Sequence, residues 1–195
     1  MRQTKESSMK RVSVCVFIMV SLIIASSAWA YTPNRLSKEA YDKGFHAAMH
    51  NNYPEADKQL KRAVELDPKN LDALNVWGVT LSKLGRNKEA FQKFDTATKI
   101  DPKFAKAWFN WGVTLAESGD KKNAAVKFQR TVALRPDFSL AYENWGLTLI
   151  SLGEKQKGIE KLRLAAKYDP QKAPQINQVI KGLEKKEQPA KPGRR

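Results

Sequence analysis

The sequence holds one cysteine, two histidines and only 20 acidic residues against 35 basic ones. Each shortage removes a class of chemistry. Cys15 lies in the apolar N-terminal segment, so the rest of the chain can form neither an internal disulfide nor a thiolate metal site. His46 and His50 stand at i, i+4 and would share one helix face, but a metal needs a third ligand. The intervening Ala47-Ala48-Met49 also lacks the glutamate of the H-E-x-x-H motif. Any Ser-His-Asp or Cys-His arrangement would have to use this one pair, and no Gly-Lys followed by Ser or Thr occurs to make a phosphate loop. No cofactor, metal or small-molecule substrate is expected, and the chain does not read as an enzyme.

Long apolar runs are scarce too. Val12 to Ala25 is short of the roughly 20 residues that a membrane span needs. Preceded by Arg2, Lys5, Lys10 and Arg11 and followed by Ala28-Trp29-Ala30, it has the three parts of a secretory signal. Residues 1–30 are therefore expected to be removed near Ala30, leaving an exported chain, periplasmic or secreted. The alternative is an uncleaved anchor formed by residues 12–30.

Glycine and proline, 10 and 9 in number, are few, and their positions repeat. Trp77-Gly78-Val79-Thr80-Leu81 returns as Trp111-Gly112-Val113-Thr114-Leu115 and again as Trp145-Gly146-Leu147-Thr148-Leu149, at intervals of 34 residues. Leu74, Trp77, Gly78 and Leu81 lie at i, i+3, i+4 and i+7, one face of a helix. Gly85, Gly119 and Gly153 can close that helix with a positive φ. A second helix follows, with Ala90, Phe94 and Ala97 on one face, and ends at Asp101-Pro102, because proline is excluded from helix interiors and disfavours helix in the residue before it. The same stop occurs at Asp67-Pro68, Arg135-Pro136 and Asp169-Pro170, which makes the aspartates turn residues rather than a carboxylate site. Unit one is atypical. It has Lys43 in the tryptophan slot and Asn51-Asn52 where the others turn with glycine, as a terminal repeat tolerates.

Four units in phase, with Gly44, Gly78, Gly112 and Gly146 at the eighth position, small residues at 56, 90, 124 and 158 and a late proline in each, resemble the tetratricopeptide repeat (TPR) family. The resemblance implies an all-α α-solenoid of four TPR helix-turn-helix repeats over 37–172 (37–70, 71–104, 105–138 and 139–172). A short lead at 31–36 would precede it. Ile176, Val179, Ile180 and Leu183 form the apolar face of a capping helix at 173–186, and 187–195 reads as a basic disordered tail.

The family's first helices line a concave groove that holds a segment of a partner protein. Carried over position by position, the protein-binding groove would comprise Tyr41, Phe45, Asn75, Val79, Phe109, Val113, Glu143, Leu147 and Ile150, with Lys83 and Lys106 towards the rim. Apolar anchors mixed with an amide and a few charges suit a peptide or helix with spaced hydrophobic residues. The clamp by which one branch of the family grips a C-terminal carboxylate is not expected, because Tyr41, Phe45 and Val76 stand at its positions and only Lys106 fits.

The function expected is a protein–protein interaction scaffold, an assembly or adaptor factor of the cell envelope. Its alternatives are a membrane-anchored adaptor or a non-catalytic accessory subunit of an envelope enzyme. The second helices of units three and four are strongly basic (Lys121, Lys122, Lys127, Arg130; Lys155, Lys157, Lys161, Arg163, Lys167). They offer an anionic membrane surface a landing face, whereas export argues against a nucleic acid partner. N-terminal sequencing of the protein from expressing cells should begin at Tyr31, and recovery of residues 12–30 in the membrane fraction would establish the anchor instead.

Overall fold

The computed structural model describes residues 34–185, all helix and turn. Nine helices follow in order: α1 (34–49), α2 (Tyr53–Leu66), α3 (Leu71–Lys83), α4 (Asn87–Ile100), α5 (Ala105–Glu117), α6 (Lys121–Leu134), α7 (Ser139–Ser151), α8 (Lys155–Tyr168) and α9 (Ala173–Lys185). The signal segment, Cys15, Trp29 and the tail from 187 lie outside the described residues. Helix α1 already includes residues 34–36, which were expected to be a lead. An Arg35–Glu39 ion pair of 3.0 Å supports its first turn.

The turns follow from a few side chains. Gly85, Gly119 and Gly153 take φ of +76°, +94° and +86°, and Asn51 supplies the same left-handed residue at +59° in the first unit. Each allows the next amide to reach back to the helix just ended, as Arg86 N to Leu81 O at 2.8 Å and Asn52 N to Ala47 O at 2.9 Å. Between units, Asp67, Asp101 and Asp169 accept hydrogen bonds from the backbone N–H of Lys69, Lys103 and Lys172 at 3.0, 2.8 and 3.1 Å. Arg135 has no carboxylate to offer, and its guanidinium lies over the Phe138 ring instead.

Within each unit the two helices cross at a glycine. A Cβ on Gly78 would lie 2.5 Å from the Phe94 ring, one on Gly112 2.7 Å from Phe128, and one on Gly44 2.7 Å from Leu60. At Gly146 the obstacles are the carbonyl of Gly158 at 2.8 Å and Leu162 at 3.0 Å. Leu60, Phe94, Phe128 and Leu162 fill the same slot of four successive second helices and are all fully buried. Burial of each stabilises the fold by roughly 1.5–3 kcal/mol.

The tryptophans line the seams between units, but no two of Trp77, Trp111 and Trp145 stack on each other. Each lies under a lysine of its own second helix: Lys93 at 3.9 Å from the Trp77 ring centre, Lys127 at 3.4 Å from Trp111 and Lys161 at 4.6 Å from Trp145. Trp108 stacks on Trp111 with ring centres 5.8 Å apart, so it too is packing. Helix α3 packs on α5 and α5 on α7, whereas the backbones of α2, α4, α6 and α8 stay farther from one another and meet only through side chains. The stack is therefore bent, with the first helices on the inside of the curve and the second helices splayed outside. At its far end α9 buries Ile176 and Ile180 against unit four, while its Val179 remains exposed.

Two glycines with opposite surroundings test this packing. Gly78→Ala should lower stability by about 1–3 kcal/mol because the Phe94 ring must move. Nothing lies within 4 Å of a Cβ on Gly182 in α9, so Gly182→Ala should raise stability by up to about 1 kcal/mol. Thermal melts followed by circular dichroism read both, and shifts of the same sign would contradict the crossing geometry.

Candidate functional site

On the inside of the curve, α1, α3 and α5 enclose a cleft of about 420 Å³. Its apolar wall is Tyr41, Phe45, Ala48, Met49, Tyr53, Val76 and Val79. Tyr41 and Phe45, one turn apart on α1, stack with centres 5.9 Å apart. Phe45 is 42% and Met49 66% exposed, so large apolar side chains face solvent here without a protein partner to cover them.

The polar side of the cleft is built by α3 and α5. Asn110 Nδ2 donates to Asn75 Oδ1 at 2.9 Å, which fixes the orientation of both amides. The remaining Asn75 Nδ2 donor and Asn110 Oδ1 acceptor have no partner among the described residues. The Thr80 hydroxyl in the same wall is buried and has no hydrogen-bond partner either. At the rim, Lys106 pairs with Asp72 at 3.7 Å and Lys83 with Glu117 at 3.4 Å, each joining neighbouring first helices. Both pairs are exposed and add little stability, but they leave the rim nearly neutral in an otherwise basic chain.

Six of the expected groove residues meet in this cleft: Tyr41, Phe45, Asn75, Val79, Lys83 and Lys106. Glu143 and Leu147 lie apart, in a second concavity of about 210 Å³ with Lys172, Gln175, Ile176 and Val179. The other three, half-buried, line neither concavity. Phe109 was expected to face the groove, but its half-buried ring lies between Phe128 and Phe138, with centres 6.0 and 4.9 Å away, and packs on the core rather than lining the cleft. Ile150 is likewise a correction: its Cγ1 fills the space above Gly158, where a Cβ would meet it at 2.5 Å. Val113 is half buried against the Leu115–Ala124–Phe128 cluster. Unit three therefore reaches the cleft through Lys106 and Asn110.

Sequence reading missed Asn110, Met49 and Tyr53, and named Val76 only as a clamp position. The register of Asn110 and Val76, each one residue past the expected groove position, was the available signal: a helix turns 100° per residue, so two adjacent residues can both face a wide groove. Among the described residues no cluster of three metal-ligating side chains occurs and no helix is long and apolar enough to cross a membrane. His46 and His50 stack on each other at 4.8 Å on the exposed surface.

A family model described as tetratricopeptide repeat matches residues 41–103 and 76–137. Among solved structures, PilF of Pseudomonas aeruginosa aligns with a TM-score of 0.73 at 21% identity, over 80% of this chain and 71% of that one. YrrB, described as a TPR protein with an unusual peptide-binding site, aligns at 0.59 and 25% identity over 69% of each chain. MamA of Desulfovibrio magneticus RS-1, from its residue 41 to the end, aligns at 0.62 and 22% identity over 78% of this chain and 97% of that one. No curated protein sequence matches the chain significantly.

Burial first, and the carboxylates of Asp72 and Asp42 second, hold the Tyr41 phenol above its ordinary value. The folded chain thus keeps a proton that the unfolded chain releases near pH 10, and this contribution to stability is lost as pH rises from about 10 through the raised value. Tyr41→Phe should remove part of the alkaline loss, read as the change in melting temperature between about pH 9 and pH 11. An alkaline slope unchanged by the substitution would contradict the assignment.

Proposed function

The chain belongs to the tetratricopeptide repeat family of protein–protein interaction scaffolds, and from that premise we propose that it captures an apolar segment of a partner protein in the cleft between α1, α3 and α5. The observation that carries this reading is the coincidence of exposed Phe45 and Met49 with a free amide donor and acceptor on Asn75 and Asn110. The aromatic wall takes a hydrophobic side chain, and the amide pair offers one donor and one acceptor, the complement of a peptide group. YrrB's description as having a peptide-binding site supports the same use of this fold.

The near-neutral rim favours a segment of low charge over an acidic or basic one. It also removes the free lysines that a carboxylate clamp would need, since Lys83 and Lys106 are both engaged. No chemical step is required of the protein, whose part is to bind and to position. The proposed setting is the cell envelope, with the chain released after cleavage near Ala30. The basis for this is the basic, apolar and small-residue order of residues 1–30.

Phe45→Ala and Met49→Ala should each reduce capture of the partner from envelope extracts while leaving the melting temperature nearly unchanged, because both side chains are exposed. Phe109→Ala should do the reverse in its first effect, destabilising the stack by roughly 1–3 kcal/mol as its half-buried ring leaves Phe128 and Phe138. Unimpaired capture by the Phe45→Ala, Met49→Ala double variant would remove the cleft from the function.

A further inference from the structure

The outer face carries a cleft at the last of the three seams between units. In each seam the residue five places into the earlier unit's second helix faces the tryptophan of the next unit. In the first it is Asp57, which accepts from Trp77 Nε1 at 2.6 Å and pairs with Arg86 at 2.6 Å, closing the gap with an ion pair. In the second it is Phe91, whose ring packs on the Leu115–Ala124–Phe128 cluster. In the third it is Ala125. A methyl group cannot fill the same space, and a cleft of about 580 Å³ remains between α6 and α8, floored by Trp145 and Leu149.

The lip of this cleft is Val126, 58% exposed. Lys122 and Arg130 lie one turn before and one turn after it on the same stripe of α6, both exposed and in no ion pair among the described residues. Helix α6 has no acidic residue at all. Across the cleft the α8 wall offers no net charge: Lys157 is paired with Glu154, Lys161 lies over the Trp145 ring, and the exposed carboxylate of Glu160 stands on the far wall, so the excess positive charge lies along α6 and an acidic segment must keep to that side.

We propose that the cleft between α6 and α8 is a second docking site, which receives one large apolar side chain of an acidic protein segment lying along the Lys122–Val126–Arg130 stripe. The concavity selects for the anchor, and the flanking cations select for carboxylates on either side of it. A flat anionic membrane would engage the lysines but would have nothing to place in the cleft. The site is separate from the inner cleft and does not depend on that reading.

The test uses the full chain and a fluorescently labelled synthetic peptide rich in glutamate with a single phenylalanine, followed by polarisation. Binding is expected to weaken steeply with salt and to fall about tenfold or more when the peptide's phenylalanine is replaced by serine. Ala125→Phe, which copies the second seam, should cause a similar loss, and Val126→Ser is a second variant should the first fail to fold. The proposal is overturned if the peptide does not bind, if the serine peptide binds as well, or if folded Ala125→Phe and Val126→Ser proteins bind like the parent. It is also overturned if vesicles of phosphatidylglycerol and phosphatidylcholine bind the chain while the peptide does not, which would make the face a lipid surface.

Discussion

Everything in this fold depends on how closely the two helices of a unit cross. At Gly44, Gly78, Gly112 and Gly146 the space above the backbone is already occupied by the partner helix's leucine or phenylalanine, or by its backbone. Close approach at that one residue fixes the angle between the helices, and the angle decides which residues either side of the glycine face inward. The buried Leu60, Phe94, Phe128 and Leu162 then serve as wedges of similar size, so four units of different sequence stack with one geometry. The left-handed residues at 51, 85, 119 and 153 only have to return the chain to a position that the crossing has set.

That geometry divides labour between the faces. The first helices touch one another inside the curve, and their side chains converge on a common cleft, where aromatic rings and an amide pair stand together. The second helices are held apart outside, so any filling between them must come from their own side chains. Lysines over tryptophan rings supply part of it, and Asp57, Phe91 and Ala125 show three different solutions in successive seams. Lys127 marks the cost of this arrangement: burial between the rings lowers its pKa, since a desolvated ammonium is held only by the faces of the indoles and by distant Asp95.

The architecture was legible because its signals are local and repeated. A glycine eight residues into each unit, small residues at the crossing and Asp-Pro stops agree in phase, and agreement among independent signals is strong evidence even without an alignment. The inner surface was less legible. Phe109 has the same position in its unit as Tyr41, yet its ring leans onto the core because unit three ends in Phe138, which packs on it, where unit one ends in Asn70 and leaves Tyr41 to stack on Phe45 in the cleft. Ile150 is drawn inward by Gly158, where a larger residue would have pushed it out. Such choices depend on which neighbour leaves space, and position within a repeat does not carry that information. The Asn75–Asn110 bond was hidden for a related reason: its members sit 35 residues apart, one off the repeat period.

The central claim is that the inner cleft is where a partner segment is held. A photoreactive amino acid placed in turn at Met49, inside the cleft, and at Gln92, on the outer face of α4, tests it directly in cells expressing the full chain. The account predicts a crosslinked peptide at position 49 containing a large apolar residue in a segment of low charge, and none at position 92. Equal capture at both positions, or capture at 92 alone, would contradict it.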